Sequence, residues 1–175
     1  MSRFHLSTDD CEILIARELR RAGIEVGGLR CRQGSLTASD DGWRCELTGT
    51  LEAYGHRWSA LVACHNTTGV LSAAHVEHAH RCATAARARS TFVVTTGAFD
   101  QEAIARGHEL RVGLLEIVDA QPVLLEAGLI QPGPLPTWVP EFTVQLVSCV
   151  EGRVRRRLPG ANEPELILRE LRPLT

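Results

Sequence analysis

Residues 90–118, STFVVTTGAFDQEAIARGHELRVGLLEIV, change their hydrophobic period twice. TFVVTTGAF is a short, β-branched apolar run that ends at Gly97, the pattern of a buried strand. DQEAIARGHEL reads as a helix, with Asp100 placed to cap its first turn. RVGLLEIV is apolar and strand-like again. Strand, helix and strand in this order point to an α/β sheet covered by helices.

The flanking segments extend the pattern. Upstream, STDDCEILIARELRRAG predicts a helix capped at Ser7 or Thr8, with acidic residues at the positive end of its dipole and Gly23 as its stop. Its apolar stripe runs through Cys11, Leu14 or Ile15, and Leu19. IEVGGLRCRQGSLTASDDG is turn-rich and leaves room for one short strand. WRCELTGTLEA alternates, with Cys45, Leu47 and Leu51 on one face and Glu46, Thr48, Thr50 and Glu52 on the other. After the YGHR turn, WSALVACHN supplies its hairpin partner, and a helix capped at Ser72 follows. A short helix with Pro122 in its first turn follows RVGLLEIV. Residues 131–140, QPGPLPTWVP, form a proline-rich connector before a second hairpin around Glu151-Gly152. EPELILRELRPLT suits helix or strand. The expectation is a mixed sheet of four or five strands flanked by helices, divided into a core of residues 1–130 and a connector, hairpin and tail over 131–175.

Composition narrows the chemistry. The 175 residues are 44% hydrophobic and 23% charged, as in globular proteins, and no apolar run approaches a membrane span. The N-terminus lacks an apolar signal region, so the expected location is the cytoplasm and the six cysteines are expected to be reduced thiols, mostly buried. All 19 basic residues are arginine, which excludes any mechanism that needs lysine. A formal net charge of -2 provides no global basic field, so a nucleic-acid partner requires a local arginine patch.

Residues 9–128 together resemble the Mrr-type restriction endonuclease domain of the PD-(D/E)xK nuclease superfamily. The resemblance rests on the strand ending in Thr95-Thr96, on Phe99, on the helix and the strand GLLEIVD, and on the opening helix carrying Glu12. It implies a restriction-endonuclease-like sheet, with DNA as partner alongside other defence-system proteins, and leaves a homodimer open. It also implies that the hairpin carries the active site. An acidic residue late in the first strand, and Glu-x-Lys in the second, would hold Mg²⁺ and orient its activated water. VACHN stands where VECKN is expected. Ala63 replaces the metal carboxylate, His65 replaces the lysine, and Thr50 falls near the acidic position. The expectation is therefore a DNA-associated protein with weakened or lost nuclease activity. Two alternatives stay open: a Mg²⁺-dependent endonuclease rebuilt around Glu12, Glu52 and His65, and a non-catalytic interaction module.

Two further groups stand out. His75, His78 and Cys82 share one face of the helix after the hairpin, as zinc ligands would, with His65 a possible fourth; scattered polar histidines and a buried cysteine explain the same pattern. Arg153, Arg155, Arg156 and Arg157 form the densest basic run, suited either to tracking phosphates or to a solvated hairpin arm. Trp138 suits an anchor for the tail or a partner surface, and His5, His56 and His108 read as surface residues.

Overall fold

The computed structural model describes residues 6–134, 137 and 139–172, so His5 and Trp138 lie outside the described residues. Helix α1 (Thr8–Arg21) opens the chain and is followed by β1 (Glu25–Cys31) and β2 (Thr37–Ser39). The hairpin comprises β3 (Gly42–Ala53) and β4 (His56–Asn66), and the short β5 (Val70–Leu71) leads into α2 (Ala73–Ala85). Next come β6 (Ser90–Thr95), β7 (Ala98–Phe99), α3 (Gln101–Leu110), β8 (Gly113–Asp119) and α4 (Ala120–Glu126). The hairpin of β9 (Phe142–Val150) and β10 (Arg153–Arg157) and a last short helix, α5 (Glu165–Leu168), complete the chain.

One eight-stranded mixed sheet runs in the order β1-β3-β4-β6-β8-β9-β10, with β2 also on β3. The β4–β6 and β6–β8 pairs are parallel and the rest antiparallel. The sheet is larger than the expected four or five strands for two reasons. The turn-rich stretch after α1 forms two strands rather than one, because a bulge between Gly27 and Arg30 lets β1 follow β3 despite its glycines. The second hairpin also continues the sheet, pairing Leu114 to Asp119 with Val147 to Phe142. The sheet thus runs unbroken across the 130/131 boundary. The ambiguous tail contains α5, and β5 and β7 form a separate two-stranded parallel pair.

Alternation divides the core between the two sheet faces. On one face, Cys11, Leu14, Ile15 and Leu19 of α1 pack on Cys45, Leu47, Val62, Cys64 and Phe92. On the other, Val76, Ala79 and Ala83 of α2 and Ala103 and Ile104 of α3 cover Leu61, Ala63, Val93, Leu114 and Val147. All six residues of β6 are buried, as expected of a strand with helices over both faces. Burying a side chain such as Phe92 contributes about 1.5–3 kcal/mol.

Local signals fix the elements near the site. Ser7 and Asp10 form a reciprocal capping box at the start of α1, with the Asp10 N–H donating to Ser7 Oγ at 3.1 Å. The β3–β4 turn has Tyr54 and Gly55 both at positive φ (51° and 74°), which matches the twist of an antiparallel pair. At the far end of the hairpin, Gly42 has φ 154°, and a β-carbon there would stand 1.7 Å from the Asn66 carbonyl oxygen. Only glycine allows β3 to begin this close to the end of β4. No helix among the described residues is long and apolar enough to cross a membrane.

Candidate functional site

The hairpin register decides which side chains meet. Arg44 pairs with His65, Glu46 with Ala63, Thr50 with Ser59 and Glu52 with Arg57. Directly paired residues project to the same face of a sheet, so the carboxylate beside Ala63 is Glu46. Eight strand residues, or about 26 Å, separate the level of Glu52 from that of His65. Glu52 is bound there to Arg57 at 2.8 Å. Thr50 donates its hydroxyl to the Gly27 carbonyl oxygen at 3.2 Å. Glu12 serves the opposite face: it accepts the Cys31 N–H at 2.8 Å and faces Arg30 at 3.9 Å. Glu12, Glu52 and His65 therefore do not converge. Antiparallel pairing carries residues late in the first strand toward the turn, away from the end of the second.

His65 projects from β4 toward α2, and its ring meets His75 edge-on at a centroid distance of 5.4 Å. Burial, and then the neighbouring His75, Arg44 and His78, push its pKa down from 6.5 to about 4. It is thus neutral at pH 7 and does not reproduce the fixed positive charge of a lysine. With so low a pKa it is also a weak general base.

A cavity of about 340 Å³ opens at this end of the hairpin, lined by Ser39, Asp41, Trp43, Arg44, His65, Thr67 and His75 among others. Asp41 accepts hydrogen bonds from Thr67 and from Ser39, and these hold its carboxyl below the usual range. Thr96 Oγ1 receives the Thr67 N–H at 2.9 Å and lies 3.0 Å from Asn66 Oδ1, joining the ends of β4 and β6. Asn66 Nδ2 and Trp43 Nε1 both donate to the Leu6 carbonyl oxygen, at 3.1 and 2.9 Å.

Helix α2 divides the sequence-predicted histidine–cysteine set. His75 Nδ1 lies 3.1 Å from the Ser72 N–H, which it accepts to close the helix N-terminus. This places its proton on Nε2 and occupies the lone pair it would offer to a metal. His78 and Cys82, one turn apart, instead meet Glu46 from β3, and one ligand atom from each lies within 4.8 Å of the others. His78 Nε2 and Cys82 Sγ are 3.5 Å apart. Burial, then the hydrogen bond and charge of Glu46, raise the Cys82 thiol pKa. Arg32 is bound to the same carboxylate. Asp41 and Glu46 were not singled out as site residues by the sequence. The alternation placing Glu46 on the polar face was legible, but not the register that sets it opposite Ala63.

The arginine run divides as well. Arg156 pairs with Val147 and turns toward the α3 side, where its Nε reaches Glu116 Oε2 at 2.8 Å and its second donor reaches Oε1 at 3.2 Å. That bidentate contact removes Arg156 from the expected phosphate-binding set. Arg153, Arg155 and Arg157 project from the opposite face of the same edge strand, whose residues are all exposed.

No protein-family model, curated protein or solved structure matches the chain.

Proposed function

We propose that this protein contacts DNA through a nuclease-like sheet and does not hydrolyse it. The single observation that carries the reading is the composition of the β4 end. Ala63 offers no metal ligand, and His65 is held neutral beside His75. A hydrolytic centre of the expected type requires carboxylates around Mg²⁺ and a cation oriented on its water. Here the lysine position holds a neutral histidine, and one carboxylate position is alanine. The element order supports the nuclease-like ancestry: a capped helix, a long hairpin, a helix and a strand parallel to the hairpin's second arm. Three exposed arginines on β10 supply the local basic surface that the net charge does not.

Supercoiled plasmid and labelled duplex test the two halves of this reading. With Mg²⁺ or Mn²⁺, the wild-type chain is expected to leave the plasmid uncut. It is also expected to bind the duplex with dissociation constants of about 10⁻⁴–10⁻⁶ M at physiological salt, as non-specific contacts do, and more tightly at low salt. Metal-dependent nicking that disappears in Glu46→Gln overturns the loss of catalysis. Absence of binding at low salt overturns the DNA contact and favours an interaction module.

A further inference from the structure

Glu46, His78 and Cys82 bring together a carboxylate, an imidazole and a thiol from two elements with separate structural reasons for their positions. Glu46 is fixed by the β3–β4 register opposite Ala63, where the small side chain leaves room on the α2 side of the sheet. His78 and Cys82 are four residues apart on α2, so they project along one face. Their Nε2–Sγ separation of 3.5 Å equals the ligand–ligand edge of about 3.5 Å of a tetrahedron built from ordinary zinc–nitrogen and zinc–sulfur bonds. The carboxylate lies within 4.8 Å of both atoms.

We propose that Glu46, His78 and Cys82 form a binding site for Zn²⁺. The ligand chemistry selects the ion: a thiolate and an imidazole favour zinc over Mg²⁺ or Ca²⁺, which take oxygen ligands. Arg32 is bound to Glu46 through Oε2, and a carboxylate has a second oxygen to offer an ion. His75 is excluded, because its Nδ1 is committed to the Ser72 N–H. Three protein ligands leave the fourth position to water, the composition of an exchangeable or catalytic site rather than a closed structural one. This site shares Glu46 with the end of the hairpin but no residue with the β10 arginines, so zinc binding and the DNA contact stand or fall separately.

Cobalt serves as the probe, because a cysteine thiolate gives Co²⁺ an intense near-ultraviolet charge-transfer absorption that carboxylates and imidazoles do not. The chelator-treated, thiol-reduced full chain is expected to develop that absorption with one Co²⁺ per chain and to lose it on addition of Zn²⁺. Cys82→Ser should abolish it. Glu46→Gln and His78→Gln should each weaken Zn²⁺ binding by about ten-fold or more. His75→Gln and Cys149→Ser should leave it unchanged. Melting in chelator provides the folding control: the ligand variants should match the wild type there, and only the wild type should gain stability on adding Zn²⁺. The proposal is overturned if the wild type shows no charge-transfer band in excess Co²⁺, or if Cys82→Ser retains the band.

Discussion

Acidification from neutral pH to about pH 4 is expected to cost the folded chain about 3 kcal/mol through His65 alone. The imidazole titrates at about 4 in the folded protein and near 6.5 when unfolded, and each unit of difference is worth about 1.4 kcal/mol. The sign follows from which state takes the proton. Below pH 6.5 the unfolded chain binds a proton that the folded chain refuses, so stability is full above that pH and falls as pH approaches 4. His80, pushed down by burial and then by Arg172, acts in the same direction, whereas Glu170, pushed up by burial, opposes it. Asp10 and Asp41, whose carboxyls are lowered by hydrogen bonds, lose most of their contribution below about pH 4. Urea midpoints measured between pH 7 and pH 4 should therefore fall steeply in the wild type and much less in His65→Gln. Equal slopes in the two proteins would show that His65 is not buried against His75 as described.

Removing Arg156 is expected to destabilise the chain by about 2 kcal/mol, or about 4–8 °C in Tm. Its partner Glu116 is 5% exposed and accepts both guanidinium contacts as well as the Phe99 N–H at 3.3 Å. Arg156→Ala strands that carboxylate under the sheet edge, and a fully buried ion that loses its partner costs about 3–5 kcal/mol. The arginine side chain is 41% exposed, so water reaches the site and reduces the penalty. Adding Glu116→Gln should recover part of the loss, because the stranded charge is then gone. Arg153→Ala, Arg155→Ala and Arg157→Ala should each leave Tm within about 1 °C, since none of the three faces the core. A loss in any of these equal to that of Arg156→Ala would overturn the assigned facing of β10.

The sequence carried the elements further than it carried their partners. Period changes around TFVVTT and GLLEIV mark strands that are buried wherever they sit, and Ser7, Ser72 and Asp100 mark helix starts by local chemistry. The hairpin was legible from alternation and the Tyr54-Gly55 turn. What alternation does not contain is cross-strand register. A carboxylate late in β3 looks adjacent to the end of β4 when the motif is carried over by position, yet pairing sets Glu52 at the turn and Glu46 beside Ala63. The histidine–cysteine face of α2 was visible as a helical spacing, but the capping bond that withdraws His75 and the carboxylate that replaces it are tertiary facts. Likewise, five consecutive residues RVRRR read as one basic patch until β9 determines which side faces Glu116.

The central claim, contact with DNA without hydrolysis, is tested most directly by titrating a labelled duplex across a range of salt concentrations with the wild type and with the combined Arg153→Ala, Arg155→Ala and Arg157→Ala variant. Each phosphate contact contributes about 0.9 to the slope of log K against log salt for B-form DNA. The wild type is expected to bind the duplex measurably at low salt and to leave it uncut. The variant is expected to bind more weakly, with a slope shallower by up to about 2.7, and with Arg156 retained so that folding is preserved. An unchanged affinity and slope in the variant, or no binding by the wild type at low salt, would contradict it.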